Sequence, residues 1–240
     1  MHQTAFENCQ YFFDCYGKDI AKFNPKAKVV EIGSRIVEGS VVNGTIRGTA
    51  PKEFEYVGLD FEPGKGVDLL LQDPYVLPFE DASVDVVLSS SCFEHSEMFW
   101  LVYLEIMRVL KPTGLFYMNA PSNGFFHRFP VDAWRFYPDA GQALVTWGKR
   151  NQLNNTLLES YTTYQREAVW SDFCAIYLKD EAFADAYPTR VITSGKIQFY
   201  NGMLRGNNQF LNHSRMPEDL LKIDTIQKIL GNKLKLNVGG

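Results

Sequence analysis

Short apolar runs that end in polar or glycine residues recur through the first half of the chain, with helical periodicity in some of the gaps. Lys28-Val29-Val30-Glu31-Ile32-Gly33-Ser34 reads as a strand of a parallel sheet, because mostly β-branched residues with a carboxylate and a closing glycine suit a short strand covered on both faces. The glycine at its carboxyl end lets the chain turn sharply and leaves room for a ligand near the backbone. Phe54–Leu59 repeats the pattern and ends in Asp60-Phe61, and Val67–Leu71 runs into Gln72-Asp73-Pro74. Val84–Leu88 opens into Ser89-Ser90-Ser91-Cys92-Phe93-Glu94-His95, and Leu115–Met118 closes on Asn119 and Ala120. Connections long enough for crossovers make this an α/β pattern, in which a site forms outside the carboxyl ends of the strands.

Helices fill other segments. Phe6, Cys9, Phe13 and Tyr16 recur at three- and four-residue steps and predict an amphipathic covering helix, with Gly17 as its stop. Ser96 is placed to cap a helix to Leu110, ended by Lys111-Pro112-Thr113-Gly114. Asp139 begins another to about Gln152, and Pro217–Leu230 has the spacing of a fourth. The stretch after Gly33, with Gly39 and Asn43-Gly44, is poor helix material, so a short or broken helix is expected. Leu157–Tyr164 and Phe173–Leu178 read as an antiparallel pair at the sheet edge, and Lys233–Val238 as one more strand or a disordered tail. One domain over 1–240 is expected: a core of about 25–180, the covering helix in 1–20, and a C-terminal elaboration from 182 to 240 whose role the pattern leaves open.

Composition narrows the function classes. The 240 residues are 45% hydrophobic and 22% charged, with net charge −4, which offers no broad electrostatic footprint for nucleic acid or an anionic membrane. No signal-peptide pattern and no apolar run of spanning length is present, so a soluble cytoplasmic protein is expected. Cys9, Cys15, Cys92 and Cys174 form no Cys-x-x-Cys pair and the four histidines do not cluster with them, so free thiols and no metal are expected.

Asp60, at the end of the second strand, is placed to accept hydrogen bonds from ribose hydroxyls, with Phe61 offering an apolar face to a purine. Asp73 could accept from an exocyclic amine or close a turn before Pro74. The Gly-x-Gly-x-x-Gly spacing and the Walker sequence are both missing, which argues against a pyrophosphate ligand. His95 stands at a helix amino terminus, where the dipole disfavours its protonated form, and could take a proton from a substrate hydroxyl or fix a loop.

Assembled in order, these pieces resemble the class I S-adenosylmethionine-dependent methyltransferases over about Lys28 to Asn151. The carriers are Val-Val-Glu-Ile-Gly-Ser, Tyr-Val-Gly-Leu-Asp, Asp73 before Leu-Pro-Phe-Glu-Asp-Ala-Ser-Val-Asp-Val-Val, Ser-Ser-Ser-Cys-Phe-Glu-His and Glu-Ile-Met-Arg-Val-Leu-Lys-Pro-Thr-Gly. Asp-Ala-Trp-Arg-Phe-Tyr-Pro-Asp at 132–139 looks like a segment seen after the fifth strand in one subgroup. The resemblance implies a Rossmann-like three-layer sandwich around a seven-stranded, mostly parallel sheet with one reversed strand. It implies S-adenosylmethionine as cofactor, held by Glu31, Gly33, Ser34, Asp60, Phe61, Asp73, Ser90 and Ser91. Where the family has glycines two and four residues after the first, this chain has Arg35 and Val37.

The expected activity is O-methylation of a small molecule or saccharide, suggested by a loose likeness to methyltransferases of surface-polysaccharide clusters. His95 or His127 would be the general base, and Arg128, Trp134, Arg135 and Tyr137 the substrate wall, because these groups concentrate directly after the fifth strand. The competing reading is a catalytically silent partner or binding protein of the same fold, favoured by the irregular turn after Gly33.

Overall fold

The computed structural model describes residues 2–37, 45–164, 170–215 and 218–234. Among the described residues eight strands form one sheet: β1 (Lys28–Ile32), β2 (Glu55–Asp60), β3 (Leu69–Leu70), β4 (Val84–Ser90), β5 (Leu110–Pro121), β6 (Thr156–Thr163), β7 (Asp172–Leu178) and β8 (Phe199–Leu204), in the order β3-β2-β1-β4-β5-β7-β6-β8. The first five are parallel, β7 is antiparallel to both β5 and β6, and β8 is antiparallel to β6. The mostly parallel Rossmann-like sheet is therefore present, with β8 as a further reversed strand on its edge. β8 lies in the aromatic and Asn/Gly-rich region where periodicity fails, and it covers β6, so the β6–β7 pair is not the edge.

Alternating side chains split the sheet into two layers of core, as a period of two dictates. Val30, Ile32, Phe116, Met118, Phe173 and Ala175 pack with α2 (Phe99–Val109) and α3 (Ala140–Arg150). Val29, Leu115, Tyr117, Cys174 and Ile176 pack with α1 (Gln3–Phe23), whose Cys9, Phe12, Phe13 and Tyr16 are buried. Helix α1 runs through Gly17 to Phe23, because packing of a long aromatic stripe outweighs the small helix penalty of one glycine.

Two boundaries differ from expectation. Lys111–Gly114 belongs to β5 rather than to a loop, and α2 starts at Phe99 with Met98 as N-cap, so Ser96 does not cap it but ends the 3-10 turn Phe93–His95. Between β1 and β2 the described residues hold only a 3-10 turn, Arg47–Thr49, in keeping with the poor helix material there; Gly39, Asn43 and Gly44 lie outside the described residues. Residues 235–238 of the expected tail strand also lie outside them. A fourth helix, α4, spans Glu218–Leu230. No helix among the described residues is long and apolar enough to cross a membrane.

Candidate active site

Strand order reverses between β1 and β4, and a cleft of about 690 Å³ opens at the carboxyl ends of these strands. Its floor is the turn after β1. Gly33 has φ +81°, and the amides of Gly33 and Ser34 both donate to the Leu59 carbonyl, at 3.0 and 2.9 Å. That pins the turn to β2 and leaves Gly33 facing the cleft.

Asp60 ends β2, is 8% exposed and lines the cleft. Its two carboxylate oxygens accept from the amides of Arg35 and Glu62, each at 3.1 Å, so both are held in place while keeping lone pairs for a ligand. Arg35 stands where the resembled family has glycine, yet its amide serves Asp60 and its guanidinium turns to Glu62 at 2.8 Å. The backbone contact to Asp60 is thus made with arginine at the second glycine's position. Phe61, Leu71, Pro74 and Tyr75 give the cleft an apolar slot beside Asp60. A carboxylate next to such a slot fits the ribose and adenine of a nucleoside cofactor.

The remaining expected cofactor residues fall in different places. Ser91 lines the cleft with φ +52°. Ser34 and Ser90 are buried outside the lining, their hydroxyls without hydrogen-bond partners. Asp73 closes a turn onto the Tyr75 amide at 2.8 Å and stands outside the lining. Glu31 points away from the cleft, accepting from Tyr56 at 2.9 Å and Thr45 at 3.3 Å, and burial raises its carboxyl to about 7. It ties β1 to the chain entering the Arg47–Thr49 turn. Cys92 closes the cleft against Gly33, and burial pushes its thiol up to about 12, so it stays protonated.

The other end of the cleft is built from the 3-10 turn Phe93–His95 and the segment after β5. His95 and His127 meet edge to face with ring centroids 4.9 Å apart. His95 Nδ1 lies 2.5 Å from the Val131 carbonyl, which fixes the Nδ1–H tautomer and leaves Nε2 as the acceptor. Its pKa is lowered, first by burial. The helix dipole is not the cause, since His95 precedes α2 by a short turn. His127 Nδ1 lies 3.2 Å from Asp132 Oδ2, whose other contacts are the His127 amide at 2.7 Å and the Arg135 guanidinium.

Of the expected substrate wall, only Arg128 lines the cleft. Arg135 grips Asp132 with both terminal nitrogens and bonds the Phe125 carbonyl, so it holds the loop that carries His127. Trp134 packs against Phe99 and Trp100 and donates to the Ser96 carbonyl at 2.9 Å. Tyr137 is exposed outside the lining. In their place stand Glu94, Phe129, Trp170, His2 and Asp172. His2 Nε2 lies 2.8 Å from Asp172 Oδ2, joining the amino-terminal segment to the first residue of β7. Only the Phe-Glu-His run itself could have flagged Glu94, and Phe129 follows Arg128 directly; His2, Trp170 and Asp172 come from distant segments.

Residues 47–118 match the family described as methyltransferase domain. No curated protein matches the chain at a significant level. Among solved structures, the chain is similar to a Burkholderia thailandensis 1,6-didemethyltoxoflavin-N1-methyltransferase determined with 1,6-didemethyltoxoflavin and S-adenosylhomocysteine. The identity is 13%, the TM-score 0.53, and the match covers 74% of this chain and 79% of that one. It is also similar to the CurJ carbon methyltransferase, at 11% identity and TM-score 0.50, covering 72% of this chain and 54% of that chain. At these identities the structural likeness shows the fold.

Proposed function

We propose that this chain, a class I S-adenosylmethionine-dependent methyltransferase by its domain match and its fold, methylates a hydroxyl of a small molecule or saccharide. The observation that carries the reading is a single cleft with a nucleoside-shaped end at Asp60 and a proton-accepting end at His95 and His127. S-adenosylmethionine, when bound, supplies an electrophilic methyl: its bond to sulfur breaks as a bond to the acceptor oxygen forms, and sulfur keeps the electron pair as a neutral thioether.

The protein's part is mostly alignment. Asp60, Phe61 and Tyr75 hold the nucleoside, and the Gly33 turn keeps the floor free of side chain. Holding reactants at near-attack distance can supply ~7–11 kcal/mol, whereas a general base adds roughly two to four decades in rate. His95, whose neutral form is favoured by burial, presents Nε2 to the acceptor hydroxyl and draws off its proton. Phe129 and Trp170 line this end with aromatic faces, which suits stacking on a sugar or another ring. The relatives compared methylate nitrogen or carbon by name, so oxygen rests on the histidine pair.

Two measurements test this. Calorimetric titration with S-adenosylhomocysteine and S-adenosylmethionine should show binding; none by either ligand at millimolar concentration removes the enzyme reading and leaves a silent partner of the same fold. Methyl transfer is then assayed across panels of polyols, phenols and amines. His95→Ala and His127→Ala should each cut turnover by about two decades with cofactor affinity unchanged. Full rate in both variants, or methylation confined to amines, removes the hydroxyl assignment.

A further inference from the structure

The acceptor end holds more than two histidines. One donor atom each from Glu94, His95 and His127 lies within 4.8 Å of the others. Glu94 Oε1 is 3.7 Å from His95 Nε2. Glu94 is 1% exposed, and its second oxygen, Oε2, is buried without a hydrogen-bond partner. A carboxylate taken out of water costs several kcal/mol, about the scale at which a buried group needs a cation or neutralises. Of the two arginines in this loop, Arg135 already grips Asp132 with both terminal nitrogens and Arg128 donates to the Pro130 carbonyl.

We propose that Glu94, His95 and His127 form a binding site for a divalent first-row transition ion, of the zinc or manganese class, at the acceptor end of the cleft. Imidazole nitrogens with one carboxylate suit such ions, and three protein ligands leave a position open for water or substrate. The surrounding contacts match what metal-bound histidines require. His95 Nδ1 is committed to the Val131 carbonyl and His127 Nδ1 faces Asp132 Oδ2, so each ring leaves Nε2 to bind. A carboxylate or carbonyl behind the ring fixes its tautomer and orientation. Arg135 in turn anchors Asp132, so the support extends one layer further. The separations observed exceed those of bound ligands, and closure by about 1 Å would bring them to coordination distance at 2.0–2.2 Å from an ion.

The role of the ion rests on the methyltransferase reading; its binding does not. An acceptor hydroxyl in the open position is ionised against the ion, its proton passing to water, and its oxygen is left to form the bond to the methyl carbon. With the ion bound the two imidazoles act on the hydroxyl through it; in the metal-free chain His95 takes the proton directly. Alignment also improves, because the ion fixes the acceptor oxygen directly.

The test uses the full chain, stripped with a chelator and titrated with cobalt and zinc. Cobalt should bind at one equivalent with visible ligand-field absorption, and zinc should displace it. Glu94→Gln and His127→Gln should each weaken binding at least tenfold, while His213→Ala, an exposed histidine outside the cluster, leaves it unchanged. Binding of S-adenosylhomocysteine is measured on every variant and should not move, which certifies the fold. No stoichiometric cobalt or zinc binding by a protein that still binds S-adenosylhomocysteine overturns the metal site and leaves the methyltransferase reading standing. Metal binding that survives both Glu94→Gln and His127→Gln, or disappears with His213→Ala, overturns it as well. Stoichiometric metal binding without any cofactor binding keeps the site and removes the methyltransferase role.

Discussion

Gly33 and Cys92 approach so closely that a Cβ built on Gly33 would lie 2.8 Å from both the Cβ and the Sγ of Cys92. The turns after β1 and β4 are therefore pressed together on either side of the strand-order reversal, and the cleft floor has no slack. Gly33 also has φ +81°, which strains any residue with a side chain.

Gly33→Ala should destabilise the fold by about 2–4 kcal/mol, from the left-handed backbone and the overlap together. In a chain of this length that corresponds to a fall of roughly 5–15 °C in Tm, read by calorimetry. Adding Cys92→Ala removes only the overlap with sulfur, so less than half of the loss should return. A Gly33→Ala variant with unchanged Tm would show that the turn relaxes freely.

Asp60 supports two backbone amides and faces the apolar slot. Hydrogen bonds to a charged group contribute about 1.5–3 kcal/mol, so Asp60→Asn should weaken S-adenosylhomocysteine by roughly ten- to a hundredfold. The asparagine keeps one acceptor for the turn, so Tm should hold within a few degrees. Equal affinity in Asp60→Asn and the parent chain would move the ribose contact elsewhere.

Glu31 is buried, and burial raises its carboxyl from 4.5 to about 7. A folded pKa above the unfolded one means that the folded state binds more protons in between. The stability linked to Glu31 is therefore full below pH 4.5 and is lost as pH rises toward 7. Glu31→Gln, which keeps an acceptor for Tyr56, should narrow the difference in Tm between pH 5 and pH 8. An unchanged pH profile would assign that slope to other groups.

Asp132 behaves in the opposite sense. The Arg135 guanidinium holds its carboxyl down at about 2, and the His127 amide adds to the effect. The associated stability is present above the ordinary carboxylate value of 3.8 and is lost as pH falls toward about 2. Asp132→Asn frees the His127 ring and loosens Arg135, so turnover should fall by about tenfold or more while S-adenosylhomocysteine affinity stays put. A drop in cofactor affinity instead would mean that the loop supports the whole cleft.

Much of this architecture was legible in the chain itself, since strands buried on both faces must be written as continuous apolar runs. Val29–Ile32 and Val84–Leu88, each broken by one buried acid (Glu31, Asp85), and Leu115–Met118 show it, and so do the polar ends that carry Asp60, Ser91 and His95. Where local signals conflict with packing, packing decides. Gly17 sits inside a helix, Lys111-Pro112-Thr113-Gly114 inside a strand, and β8 forms from a segment without clear alternation.

The types of residue at the site, a strand-end carboxylate beside an aromatic ring and histidines after the fourth and fifth strands, were set by sequence alone. Which of them meet was decided by the fold. Asp73 spends an oxygen on its own turn, and Glu31 faces the α1 layer because strand side chains alternate. Arg135 and Trp134 are drawn into holding the loop. Glu94, His95 and His127 converge because β5 and the turn after it return the chain to the end of β4, a closure that no local spacing encodes.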